Sequence, residues 1–549
     1  MRALAGIVTA ALVLFVAGVA HGHANVVIVN ADPVDAGFND MTPATPIGGN
    51  CGTTLGAQRL AVFQRAAEIW GNALNSSAPI TILSHFEPLT CGSSGSVLGS
   101  AGPTNIFASD DPTLPTGIPA SVFPKQHTWY VSALVGAFAG VPVVSGTGTD
   151  SNNYDILARF NSALDSPATA NCGGLRWYYG LDDNHGSDID LLTVVLHEFG
   201  HGLGFLSLTN QDGTFPVGAD EPDIWSYFQY DEASGLHWVE MDAGTRAASA
   251  ISGGLAWDGP SVKATVPSTL SSLPFRVNSA PPADSAVVKV YDQITVAQFS
   301  PPIGSTLLTR DLNNTSSTFG CSTEGHLAAL DGKIAIVSRG GPNDAGCSFV
   351  EKARNAQDAG ATGLLIYNNT TGLITPSGDA PDIVIPVLFL TQDDGTALRS
   401  AVTAGTVNGT IGRDPANGFT GADSSARGLL YAPAPWDPGS SVSHWDISAF
   451  PNLLMEPVIN ADLTHSLDLT VNLLRDIGWS ISDAGAGFAN DAGPLTCPGP
   501  GGPDGGGGSD AGGGGGGGAS SGCTSSAGPP APWLALLGLL LFVRRKRSA

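Results

Sequence analysis

His197, Glu198 and His201 form a His-Glu-x-x-His run inside DLLTVVLHEFGHGLGF, Asp190 to Phe205. On a helix, residues four apart share a face, so the two imidazoles can aim at one ion. Neutral imidazole nitrogen suits Zn²⁺. Glu198, beside the first of them, can take a proton from a water activated by the metal. The chemistry this run would do is hydrolysis. The preceding Leu191, Leu192, Val194, Val195 and Leu196 predict a buried helix, and Gly204 offers a point where it could end and the chain turn back. A catalytic zinc needs a third protein ligand and one open position. The residues leave two candidates open: Glu221, twenty positions after His201, and His444, in SVSHWDISAFPNLLMEP. His85, His127, His185, His237, His326 and His465 lack zinc-ligand spacing and read as structural or exposed.

HEFGHGLGF followed, after a long insertion, by SHWD and NLLMEP resembles the leishmanolysin-type metzincins. The compact metzincin pattern would place its third histidine at position 207, where this chain has Ser207. In the leishmanolysin type that histidine arrives late, just before the Met-turn. The resemblance therefore implies His444 as third ligand and Met455 as the Met-turn residue beneath the site. It also implies an α/β (α+β) metzincin-like catalytic fold, one catalytic Zn²⁺, and a zinc endopeptidase acting on protein or peptide substrates with Glu198 as base. The surroundings of Glu221, DEPDIWS, do not match the context of a gluzincin-type carboxylate ligand.

These residues must be carried by a chain of 549 residues, 42% hydrophobic and 13% charged, which is globular in composition and long enough for two or three domains. A net charge of −25 excludes a basic, phosphate-binding surface, so nucleic acid is not an expected partner. The acidity could bind calcium, but no calcium-loop spacing supports it. Arg2, the apolar run Ala3 to Val19 and the small residues at Gly22 and Ala24 read as a signal peptide over 1–24. Export makes disulfides plausible for the seven cysteines, one of which must have a different fate.

The catalytic domain is expected over 25–274, opening with a strand at NVVIVNAD and a helix from Gly56 to Leu74, and resuming over 414–482. Between them, 275–413 carries strand-like runs at KIAIVS, GLLIYN and IVIPVLFL, with a helix-like stretch from Phe349 to Ala359. GKIAIVSRG, CSFVEKARNAQDAGATGLLIYN and IPVLFL resemble a protease-associated (PA) domain. That resemblance implies a β-rich insertion that binds or gates substrate, and a disulfide between Cys321 and Cys347.

A glycine-dominated linker follows over 483–522. The tail, 523–549, has Gly522-Cys523 at its start, an apolar stretch from Ala531 to Val543 and the cluster Arg544-Arg545-Lys546-Arg547. It resembles the MYXO-CTERM sorting signal, which implies processing near Cys523, attachment to the cell envelope and a role for the odd cysteine. An exported, surface-held peptidase is the first expectation. The second is a catalytically inactive surface binding protein that presents the PA domain on a metzincin scaffold.

Overall fold

The computed structural model describes residues 23–482, apart from 93–94, 166–171, 173, 217–220, 326, 345 and 461, together with 542–543. The expected signal peptide but for residues 23–24, His326, the glycine-rich linker, and the sorting signal but for residues 542–543 lie outside the described residues.

Among the elements of the first part of the chain, seven frame the site: strand β1 (Val26–Asn30), helix α1 (Leu55–Ala73), strands β2 (Ile80–Glu87), β3 (Gly99–Pro103) and β4 (Ile156–Asn161), helix α2 (Leu191–Gly202), and helix α3 (Pro260–Thr269). The strands form one mixed sheet in the order β1-β2-β4-β3. β1, β2 and β4 run parallel, and β3 is an antiparallel edge strand against β4. The hydroxyl of Thr54 caps α1 by accepting from the Ala57 N–H at 3.2 Å. Val62, Phe63, Ala66 and Trp70 bury the inner face of α1. The helix stops one residue short of the expected Leu74, which begins a two-residue strand.

Four further elements of the long excursion continue the chain-order numbering: β5 (Phe275–Ser279), β6 (Ile294–Val296), β7 (Leu308–Asn314) and β8 (Ile334–Ser338). Helix α4 (Phe349–Asp358), β9 (Gly363–Tyr367), β10 (Val387–Leu390), helix α5 (Gln392–Ala404) and β11 (Asn408–Ile411) complete it. All seven strands share one sheet, ordered β5-β11-β7-β8-β9-β10-β6. One apolar cluster on this sheet gathers Phe275, Ile334, Ile336, Leu365 and Leu398, and a second gathers Ala335, Val337, Ala353, Ile366 and Phe389. Alternate residues of β8 thus enter opposite clusters, as a strand covered on both faces requires.

The excursion leaves and returns through neighbouring strands. Phe275 pairs with Ile411 in an antiparallel ladder, and Ser272 bridges Phe419. Residues on either side of it belong to a single core, in which Trp70, Leu196, Phe205 and Trp257 pack with Leu430, Trp445, Met455 and Trp479. The final helix, α6 (Thr470–Ile477), packs against α3 and ends at Gly478, φ 123°. Disulfides join Cys91 to Cys172 and Cys321 to Cys347, and Cys51 is also disulfide-bonded.

Candidate metal centre

Helix α2 is buried along its whole length, its start capped by Asp190, whose carboxylate accepts from the Thr193 N–H at 3.1 Å. Its side is pinned to α1 by a bond from the Trp70 indole N–H to the Leu196 carbonyl, 3.1 Å. At its end Gly204 takes φ 111°, a left-handed conformation that lets the chain turn back at once. That turn brings the Phe205 carbonyl within 2.7 Å of His201 Nδ1.

His444 comes from a loop that packs beneath this helix. The Tyr431 N–H donates to its carbonyl at 2.9 Å, and the next residue's N–H, Trp445, donates to the Met455 carbonyl at 2.8 Å. Ring centroids of His197, His201 and His444 lie 4.7, 5.3 and 4.8 Å apart, taken in the pairs 197–201, 197–444 and 201–444. One ligand atom from each lies within 4.8 Å of the others. All three residues are at most 1% exposed.

The hydrogen bonds fix which nitrogen faces inward. Nδ1 of His197 meets the Leu454 carbonyl, that of His201 the Phe205 carbonyl and that of His444 the Ser440 carbonyl, each at 2.7 Å. A carbonyl can only accept, so each Nδ1 carries the proton and each Nε2 of the neutral ring presents a lone pair. Burial holds His197 down at about 4 and His444 at about 3, and pushes His201 well below its ordinary value, so the rings are neutral near pH 7. His197 Nε2 and His201 Nε2 stand 3.1 Å apart with no proton to share, and His444 Nε2 has no hydrogen-bond partner. Three buried, mutually repelling lone pairs fit a dication, and three neutral nitrogens match the donor set of zinc.

Glu198 is fully buried and neither of its oxygens makes a hydrogen bond. Burial pushes its carboxyl well above the usual range; the Ala101 N–H on β3 opposes this without closing a bond. Met455 is fully buried, and a Cβ at Gly200 would come within 2.9 Å of its sulfur.

Ser207 stands next to the late histidine's loop, its N–H donating to Ser443 Oγ at 3.1 Å. Glu221, the alternative third ligand, is not brought to this place. It lies with Asp110 and His127 in a separate, largely exposed group, 3.1 Å from His127 Nδ1. His465, which its spacing marks as merely structural, is buried against Asp190 and near Asp183. No spacing could have found that pairing, since the two residues are 275 positions apart.

With this geometry in place, the likeness to known proteins can be located. Residues 307–398 match the PA domain family. The match lies inside the seven-stranded excursion. The chain is 40% identical over 101 residues to the minor extracellular protease Vpr of Bacillus subtilis, covering 18% of this chain and 12% of that protein. It is 36% identical over 93 residues to leucine aminopeptidase 2 of Trichophyton rubrum, covering 17% and 18%. An aminopeptidase structure from Aneurinibacillus sp. strain AM-1 matches 26% of this chain and 31% of its own at 24% identity, with a TM-score of 0.21, too low to carry an argument. The chain thus contains a PA domain and is similar in part to peptidases, while spanning less than a fifth of either curated relative. His197 and His444 are 247 positions apart, so neither of these two curated matches contains the whole trio. Among the described residues, no helix is long and apolar enough to cross a membrane.

Proposed function

We propose that the chain is an exported zinc endopeptidase of the leishmanolysin-like metzincin kind, with His197, His201 and His444 as ligands and Glu198 as general base. The observation that carries the reading is the convergence of three buried Nε2 lone pairs beside a buried carboxylate with no partner. When bound there, zinc supplies Lewis acidity toward the scissile carbonyl and acidifies an attacking water. Leu454, Phe205 and Ser440 hold the three imidazoles in the ligating tautomer through their carbonyls. Glu198 in its ionised form, which a dication beside it would favour against the effect of burial, accepts the water's proton and passes it to the departing amine. β3 is the edge strand of its sheet and lies beside Glu198, a placement that suits addition of an extended peptide as a further strand and favours cleavage within a chain. Met455 supports the helix from below. The PA domain binds or gates substrate, and the C-terminal tail attaches the protein to the cell envelope.

Replacing Glu198 with Gln tests the base. Zinc content should be retained while casein hydrolysis falls by at least about 10²-fold, the low end for lost general-base catalysis. Undiminished hydrolysis would remove Glu198 from the mechanism. Mass spectrometry of the wild-type products should show internal cuts; stepwise release of N-terminal residues would make the enzyme an aminopeptidase instead. The rival reading, an inactive surface binder, predicts no cleavage by the zinc-loaded wild type.

A further inference from the structure

A second group of metal-ligating side chains sits at the opposite end of α2 from His201. Asp190, His465 and Asp183 each offer a ligand atom within 4.8 Å of the other two. The Asp190 and His465 side chains are 4% and 1% exposed, and His465 Nε2 lies 3.0 Å from Asp190 Oδ2. The other oxygen of Asp190 is engaged as the helix cap. Asp183 Oδ1 is shut off from solvent and has no hydrogen-bond donor. One imidazole proton can serve Asp190, which leaves the adjacent carboxylate without a counter-charge. Asp183 Oδ1 and the Asp190 carboxylate are held close and shut off from solvent, an arrangement that is costly unless a cation joins them.

We infer that Asp183, Asp190 and His465 form a second zinc site, distinct from the catalytic one and structural in role. One imidazole nitrogen and two carboxylate oxygens suit zinc, whereas calcium takes six to eight oxygens. The ion ties the first turn of α2 to the segment that follows Met455, so both ends of the catalytic helix are fixed to the part of the chain that delivers His444. The inference stands apart from the peptidase reading, because none of its three residues belongs to the catalytic set.

The test is zinc stoichiometry of the full-length protein, reloaded with Zn²⁺, freed of loosely held metal and measured by plasma mass spectrometry. Wild type should hold two equivalents. Asp183→Asn and His465→Gln should each hold one, with the remaining zinc removed by His444→Ala in the same background. Asp183 is partly exposed, so its variant serves even where His465→Gln does not fold. One equivalent in wild type, or two in folded Asp183→Asn, would overturn the site and leave the peptidase reading untouched.

Discussion

Gly200 lies between His197 and His201 of α2, where an added methyl would meet Met455 Sδ at 2.9 Å and Cε at 3.2 Å. Gly200→Ala is therefore expected to destabilise the zinc-loaded protein by about 1–3 kcal/mol, the usual cost of overpacking. Adding Met455→Ala should return part of that loss, since the two residues share one contact. Thermal melting of the two single variants and the double variant checks this; additive losses would contradict the contact. The His-Glu-x-x-His spacing made the helix legible, and the resemblance of NLLMEP to a Met-turn pointed to Met455. The carbonyls of Leu454, Phe205 and Ser440 were not legible, because backbone partners leave no mark on residue type.

Among the elements, α4 of the PA domain carries a buried lysine. Lys352 is fully buried and its ammonium donates to the Phe319 and Gly340 carbonyls, each at 2.7 Å. Burial lowers its pKa to about 8 from an ordinary 10.5. Between those values the unfolded chain binds more protons than the folded one, so this residue makes stability rise with pH from about 8 to 10.5, and its cost is complete below 8. The rise amounts to about 3 kcal/mol at 1.36 kcal/mol per pH unit. Denaturant titrations of the wild type and Lys352→Met across pH 8–10 should show the slope in the former alone; equal slopes would contradict it. The Cys321–Cys347 bond closes a 26-residue separation nearby. Chain entropy assigns such a loop about 3.5 kcal/mol, so Cys321→Ser/Cys347→Ser should lose roughly that from the PA unit in denaturant titration. Strands of this unit were readable from apolar runs, but IVIPVLFL was too long a reading. Pro386 has no N–H for the ladder, and only Val387–Leu390 pair as a strand.

At the scale of the whole molecule, one core is assembled from chain segments on either side of the excursion. The antiparallel bridge between Ser272 and Phe419 places the cut ends as neighbours. Replacing residues 273–418 with a short glycine-rich turn should leave a folded protein with the zinc content of the parent; loss of zinc would show that the insertion helps to build the centre. The existence of an insertion was legible from two motif halves separated by foreign sequence. Its place between His201 and His444 also required it to leave and return near the site; the burial of His465 against Asp190, by contrast, is a product of tertiary contact between residues far apart in the chain. The account as a whole depends on which side chain completes the trio. Zinc content of His444→Ala and Glu221→Ala, compared with wild type, measures this directly. The predicted result is one equivalent lost with His444→Ala and none with Glu221→Ala; no equivalent lost from a folded His444→Ala and one lost from Glu221→Ala would contradict it.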